Sequence, residues 1–521
     1  MLLDLKALIV VLALSGLVFA LGKRTALHFM EESDFKRRRN TWLFLSTVAF
    51  LSPNVWLFSL LAVPVLYWAG RKDTNPLALF LLLMNVIPSI PVQIPTNGLH
   101  IKQLFQIDIF RLLSLFVLLP AAWRLWRSKD SDRRRGVEST DLLLLVYGVL
   151  QVLLYVSPDP TQTNNVVLHS SFTNSLREAF LFVVDVYVVY YVASRSCSSR
   201  RVIVDAMAAF CLACTIMASV AAFEALKHWR LYADLYTLWG GHDTGKAYIY
   251  RAGLLRAESS SGNALVLGYL LAIAFGFWLY LQSQLPRLAP RVGIKVVLWA
   301  GLIAAISRGP WLGAILVYFA YATFRPGGAS RLIKAGLVFL VIGGVVLATP
   351  LGERIRQALP GTGGSEASSS LEYRERVLER SWELIQAHPL LGDQLALSQL
   401  QDLRQGQGII DLVNTYVQVT VFYGFFGLAI FLAFMLSILI KARAAARKAP
   451  PFSPDAPLLG AGLAACIVGA LFILADCSFV LACPIMFYAL AGIATGYIRL
   501  SELPRTDATV GAVSGPSPEP T

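Results

Sequence analysis

The sequence predicts an all-α, polytopic integral membrane protein with about 14 transmembrane helices. Hydrophobic residues make up 56% of the 521 residues, and the mean hydropathy is +0.61, which excludes a soluble globular protein. Apolar runs alternate with short polar loops along most of the chain. The formal net charge of +13 is concentrated in alternate loops, as the positive-inside rule requires, so it indicates cytoplasmic loops and not nucleic-acid binding.

The apolar runs give the order of the predicted spans. The first run is 5–21, and a basic segment, 22–40, follows it. The run 41–70 contains Ser52-Pro53-Asn54 and is either one long kinked span or a tight hairpin. An uninterrupted span would place the basic segment outside and a hairpin would place it on the cytoplasmic side, so the topology of 1–70 stays open at this point. The later predicted spans are 76–92, 106–126, 141–156, 172–193, 202–226, 265–281, 296–306, 311–324, 335–348, 413–440, 458–475 and 479–498.

This order divides the chain into four parts. We predict an N-terminal transmembrane bundle over 1–350, a large periplasmic loop over 351–412 and C-terminal transmembrane helices over 413–500. The remaining residues, 501–521, are rich in Pro, Ser, Gly and Thr and are typical of a disordered tail, which the topology places in the cytoplasm.

Arg308 lies between two apolar runs, in Ile306-Ser-Arg-Gly-Pro310. A guanidinium at that depth costs several kcal/mol unless an anion or a hydrogen-bonding group receives it. Gly-Pro is typical of the start of a helix, where free N–H groups and the positive end of the dipole suit an anion. We interpret Arg308 as a phosphate ligand at the outer membrane surface. The alternative is an interfacial arginine that extends toward lipid headgroups.

Two further arginines support this interpretation. Arg256 precedes the span 265–281, one turn above the membrane. In the large loop, 370–388 predicts an amphipathic helix, and Arg374 falls near the centre of its apolar face. An arginine there must be received by something buried and acidic, so we assign it to the site, with a structural ion pair as the alternative.

Other polar residues of the outer face complete the candidate site. Asp411, Asp402 and Glu258 are candidates for a general base. Glu258 and Asp411 are also suited to cap helices, which is the structural alternative. The residues that we expect to orient substrate are Tyr373, Arg404, Asn414 and Tyr416. The six histidines are scattered without metal-ligand spacing, so no metal is expected.

These motifs resemble the O-antigen ligase and O-antigen polymerase superfamily of bacterial envelope glycosyltransferases. The resemblance covers about 256–428, and the pieces occur in the family's order. The matching pieces are Arg256…Ser261-Gly262-Asn263, Ser307-Arg308-Gly309, Tyr373-Arg374…Trp382…His388-Pro389-Leu390-Leu391-Gly392 and Val413-Asn414-Thr415-Tyr416…Gly424…Gly427-Leu428.

The resemblance implies a GT-C-like, metal-independent, inverting membrane glycosyltransferase of the bacterial inner membrane with a periplasmic active site. It implies a donor glycan on undecaprenyl diphosphate and no cofactor. Arg256, Arg308 and Arg374 would then neutralise charge on the leaving diphosphate. The ligases of this family carry His-Asn where this chain has Val413-Asn414, which favours a polymerase of exopolysaccharide, capsule or O-antigen.

Three alternatives stay open. The first is a ligase that moves a glycan from undecaprenyl diphosphate to a lipid or protein acceptor. The second is a transporter or flippase of lipid-linked oligosaccharide, which should carry polar residues at the membrane midplane, where the notable charges are Asp185, Asp205 and Asp476. The third is a scaffold of a polysaccharide-export machine. The expected partners are the bilayer, the lipid-linked glycan and polysaccharide-export or chain-length proteins.

Overall fold

A computed structural model describes residues 2–95, 103–128, 138–156, 172–240, 250–251, 253–325, 336, 365–404, 410–448 and 452–502. Helices dominate these residues. They are α1 (Leu2–Ala26), α2 (Glu32–Leu51), α3 (Val55–Lys72), α4 (Pro76–Leu83), α5 (Ile109–Arg127), α6 (Ser139–Val156), α7 (172–196), α8 (Arg200–Lys227), α9 (Ala233–Leu238), α10 (Ala264–Leu281), α11 (Leu288–Ala304), α12 (Arg308–Phe324), α13 (Ser365–Ala387), α14 (Ala396–Gln399), α15 (Thr415–Arg447), α16 (Ala456–Leu474) and α17 (Ala482–Glu502).

The fold is a multi-pass helical membrane protein, as the composition predicts. In the described part of the chain, seven helices are long and apolar enough to cross a membrane, namely α1, α5, α8, α10, α15, α16 and α17. The count of about 14 spans stays a prediction, and the span 335–348 and the tail beyond Glu502 lie outside the described residues. Two small antiparallel sheets qualify the all-α prediction: β1 (Val92–Pro95) with β2 (Gln103–Ile107), and β3 (Tyr250–Arg251) with β4 (Leu254–Leu255).

The run 41–70 forms the hairpin, not the single kinked span. Helix α2 ends at Leu51, and the Asn54 side chain caps the start of α3 by accepting from the Leu57 N–H at 2.9 Å. Helix α3 brings the chain back to the level at which α2 begins, since Arg38 near the start of α2 pairs with Asp73 just after α3 at 2.7 Å.

The predicted span 76–92 is wrong. Helix α4 stops at Leu83 and is too short to cross a bilayer. The segment that follows is irregular, because Pro88 and Pro91 remove backbone donors and fix φ. Residues 84–90 are all buried within the protein, where irregular backbone at membrane depth can be tolerated.

The amphipathic helix of the large loop is confirmed as α13. Its Val377 packs in a small core of the loop with Leu400, Leu403 and Leu412. Its Ile385 packs with residues of α14 and the first half of α15. The loop is therefore held by apolar contacts of its own above the transmembrane helices.

Helix α15 is broken at Gly424, which has φ 64° and ψ −173°, a conformation that essentially only glycine adopts. Straight helical geometry would put Tyr416 about 22 Å along the axis from Phe431. Their ring centroids are instead 6.4 Å apart, so the first half folds back against the second.

The turn 388–392 fills the break in α15. Phe425 N–H donates to Pro389 C=O at 2.8 Å, and Asp393 N–H donates to Val421 C=O at 2.8 Å. The backbone groups that the break frees are thus paired with the turn, as buried backbone groups require. A Cβ on Gly424 would lie 2.1 Å from the Leu390 carbonyl oxygen. The turn 388–392 can therefore pack into the break only if residue 424 is glycine.

Candidate active site

The turn between α11 and α12 places Arg308 at the first position of α12. Ile306 makes this turn with φ +44°, a strained conformation for a β-branched residue. Ser307 donates through Oγ to Ala305 C=O at 3.0 Å, and Pro310 follows in the first turn of the helix. Arg308 Nε is buried and, among the described residues, has no hydrogen-bond partner. An unsatisfied cationic donor at a helix start is suited to an anionic ligand.

Arg256 reaches the same turn from the segment after β4. Its Nη2 donates to Ser307 Oγ at 3.0 Å, and the neighbouring Ala257 N–H donates to Ala304 C=O at 2.9 Å. Arg251 on β3 donates to the Ile306 carbonyl at 3.2 Å. Two arginines of the 250–256 segment therefore contact the residues just before Arg308.

Glu224, near the end of α8, holds that segment in place. Its carboxylate is buried and accepts backbone N–H groups from Leu231 at 2.9 Å, Glu258 at 3.1 Å and Ser259 at 2.8 Å. Ser259 has φ +50°, so the carboxylate stabilises a turn that the chain would not otherwise favour.

Arg374 on α13 completes the group by reaching down to the turn between α16 and α17. Its Nη1 pairs with the carboxylate of Asp476 in that turn. Asp476 also lies against the start of α12, since a Cβ on Gly309 would be 2.2 Å from Asp476 Oδ2. The arginines at 256, 308 and 374 thus come together from three separate parts of the chain.

The clustered positive charge is visible in the pKa of Arg256, which falls to about 10. Burial of the guanidinium is the largest cause, and the charges of Arg251, Arg374 and Arg308 lower the pKa further against the opposing effect of Glu258. An arginine stays protonated at neutral pH all the same. Burial and the neighbouring positive charges thus both disfavour the charged guanidinium, and both effects are opposite in sign to that of a nearby anion.

Three predicted residues, Tyr373, Asp411 and Asn414, hold the backbone at the start of α15 and link it to the turn that carries Asp476. The Tyr373 hydroxyl donates to Asp411 C=O at 3.0 Å and accepts from the Asp411 N–H at 3.3 Å. Asp411 Oδ1 accepts from the Val413 N–H at 3.0 Å and from Ser478 Oγ, two residues beyond Asp476. Asn414 and not Asp411 caps α15, by accepting from the Tyr416 N–H at 2.9 Å.

The remaining predicted residues are engaged elsewhere. The Tyr416 hydroxyl donates to Leu471 C=O at 2.5 Å. Glu258 is buried, pairs with Arg230 at 2.7 Å and does not cap α10, whose cap is Asn263. Asp402 and Arg404 are exposed, and their contacts are with Arg380 at 3.1 Å and with Gln401 at 3.0 Å. The structure thus leaves these last two outside the arginine cluster.

Substituting Asp402 with Asn or Arg404 with Ala is therefore expected to change the free energy of unfolding by at most about 1 kcal/mol, because exposed pairs contribute no more than that. Thermal unfolding in detergent measures this. Loss of the stabilisation by inorganic pyrophosphate in either variant would return that residue to the arginine cluster.

Comparison with known proteins gives one family match. Residues 293–432 match the family model described as O-Antigen ligase, which is about a quarter of the chain. This region is similar to the O-antigen ligase family. The resemblance to the O-antigen ligase and polymerase superfamily is confirmed, and it supports a membrane enzyme of that general type. No curated protein matches the chain.

The O-antigen ligase region contains Arg308, Arg374 and Asn414, whereas Arg256 and Asp476 lie outside it on either side. The N-terminal bundle and the α16–α17 turn thus contribute charged groups to the same site. Sequence reasoning placed Asp476 only among the midplane charges. The sequence feature that points to Asp476 is Arg374 on an apolar helix face, because an arginine there requires an acidic partner. The sequence does not identify that partner.

Asp476→Asn is expected to lower stability by about 1–2 kcal/mol, less than a fully buried pair would lose, because Arg374 is 37% exposed. The variant should also be stabilised more than wild type by inorganic pyrophosphate, since the added anion replaces the lost carboxylate among the guanidinium groups. Thermal unfolding in detergent with and without pyrophosphate measures both effects.

The matched control is Asp402→Asn, which removes a carboxylate from an exposed pair with Arg380. It should match wild type in both measurements. Equal pyrophosphate stabilisation of wild type and Asp476→Asn would show that Asp476 does not compensate the arginine cluster.

Proposed function

We propose that this protein polymerises undecaprenyl-diphosphate-linked oligosaccharide repeat units on the periplasmic face of the bacterial inner membrane. The observation that supports this is the convergence of Arg256, Arg308 and Arg374 around one helix start. A planar guanidinium binds phosphate oxygens in pairs and stays charged, so a cluster of them suits a diphosphate better than a neutral sugar.

The proposed reaction is a single displacement at the anomeric carbon. The acceptor hydroxyl forms the new glycosidic C–O bond with inversion while the bond from the anomeric carbon to the diphosphate oxygen breaks. Undecaprenyl diphosphate leaves with the electron pair, and the arginines stabilise the charge that develops on it. The hydroxyl proton passes to a carboxylate.

Among the three candidate bases, the geometry favours Asp411. One of its oxygens is held by Ser478, in the same turn as Asp476, so its carboxylate lies next to the arginine cluster. Glu258 is buried in an ion pair with Arg230, and Asp402 is exposed in a separate pair. Tyr373 and Asn414 act by fixing the backbone around Asp411 and the start of α15.

The residue before Asn414 favours polymerase over ligase. It is Val413, with φ +57°, and a valine side chain cannot supply the base that an imidazole could. The ligase alternative keeps the same donor and the same arginine cluster and differs in its acceptor. Product analysis of a deletion strain separates the two. Single-unit glycans would indicate a polymerase, full-length unattached chains a ligase, and normal polymer a scaffold.

The transporter alternative is weakened because two of the three carboxylates predicted at the membrane midplane lie near helix ends, Asp205 in the second turn of α8 and Asp476 in the turn between α16 and α17, and because all three are paired. Asp185 binds Arg111 at 2.9 Å, Asp205 binds Arg38 at 2.6 Å, and Asp476 pairs with Arg374. The decisive experiment is incubation of the purified protein in proteoliposomes with lipid-linked repeats. Covalently lengthened glycans support the enzyme, whereas translocation without a new bond supports the transporter.

A further inference from the structure

The large loop exposes an apolar edge beside its own core. On α13, Val377 and Ile385 are buried, whereas Leu378 and Trp382, one turn apart, are 56% and 51% exposed. The turn that follows exposes Leu390 and Leu391, which are 72% and 49% exposed. Large apolar side chains this exposed in one segment indicate a surface that something apolar covers.

The apolar edge is attached to α15, so its position along that helix gives its depth in the membrane. The Pro389 and Leu390 carbonyls accept hydrogen bonds from the Phe425 and Phe426 N–H groups, at 2.8 Å and 3.2 Å. Phe425 lies about 24 Å along the helix from Lys441, the first of the basic residues at the predicted cytoplasmic end. The hydrocarbon core of a bilayer is about 30 Å thick, so Phe425 and the bound turn lie near its outer boundary.

The apolar edge is also continuous with the surface that α15 turns toward lipid. Phe425 and Phe426 are 45% and 51% exposed on a helix long and apolar enough to span the membrane. The side of α13 opposite its buried face is polar, with Glu372 and Arg376 exposed. A helix with a charged face, an apolar face and a tryptophan is typical of one that lies in the membrane interface.

We propose that Leu378, Trp382, Leu390 and Leu391 are inserted in the outer leaflet of the bilayer and anchor the large loop to it. The occupant of this surface is lipid, and the proposal does not depend on the glycosyltransferase reaction. Because the same helix carries Arg374, the anchor fixes the arginine cluster close to the membrane surface. A lipid-borne substrate would then reach the cluster without leaving the bilayer.

The test uses single cysteines labelled with an environment-sensitive fluorophore in the full-length protein, reconstituted in phospholipid vesicles. Leu378→Cys and Leu391→Cys are the test positions, and Arg376→Cys, an exposed position on the polar face of the same helix, is the matched control. The six native cysteines are buried, so labelling is directed to the introduced thiol. Thermal unfolding of each variant confirms that it is folded.

We expect the labels at 378 and 391 to be quenched at least about three-fold more by spin-labelled lipid than by aqueous iodide, and the label at 376 to show the reverse. Iodide quenching at 378 equal to that at 376 would overturn the proposal. Protection of 378 and 391 from both quenchers would also overturn it, because that result indicates contact with protein.

Discussion

Replacing Arg374 with alanine is expected to reduce glycan elongation by about 100- to 1,000-fold, the usual effect of removing one preorganised donor from a site of developing negative charge. Arg374 reaches the cluster from the loop and pairs there with Asp476, so its loss removes a phosphate ligand and releases the carboxylate. The measurement is the rate of lengthening of lipid-linked repeats by purified protein in proteoliposomes.

The matched control is Arg376→Ala, which removes an exposed arginine from the same helix and should keep elongation near the wild-type rate. Arg374→Lys should be intermediate, since an ammonium keeps the charge but lacks the planar fork. An Arg374→Ala protein that inserts normally and elongates like wild type would remove Arg374 from the proposed site.

Gly424→Ala is expected to destabilise the protein by more than about 3 kcal/mol, the upper end of the usual cost of one strained backbone position. Its φ of 64° and ψ of −173° disfavour any side chain, and a Cβ would collide with the Leu390 carbonyl at 2.1 Å. The break in α15 and the turn 388–392 would separate. The measurements are thermal unfolding in detergent and limited proteolysis of the large loop.

Gly16→Ala serves as the matched control, because a Cβ at Gly16 meets nothing within 4 Å inside helix α1. That variant should keep or slightly raise the wild-type stability, since alanine favours the helix. Equal stability of the Gly424 and Gly16 variants would mean that the break in α15 does not depend on glycine.

Local patterns in the sequence were sufficient to find the arginines. An arginine between two apolar runs and another at the centre of an apolar helix face are both unfavourable without an anionic partner, so each indicates a site from the sequence alone. The helix 370–388 follows from periodicity in the same way, whereas the positive-inside rule left the hairpin in 41–70 and a kinked span as alternatives.

Local sequence patterns do not identify the partners of the arginines, because each partner lies far from its arginine in the chain. Asp476 is 102 positions from Arg374, and many carboxylates could have satisfied the same requirement. The packing of the turn 388–392 against Gly424 is also a tertiary contact that local patterns do not predict. The wrong prediction of a span over 76–92 has a local cause. The average apolar character of the segment favours a span, whereas its prolines end the helix at Leu83.

The most direct test of the central claim is the structure of the protein with undecaprenyl diphosphate bound. The account predicts both phosphoryl groups within hydrogen-bond distance of the guanidinium groups of Arg256, Arg308 and Arg374, with Arg374 wholly or partly released from Asp476. A diphosphate held by other residues, with the pairing of Arg374 and Asp476 unchanged, would contradict it.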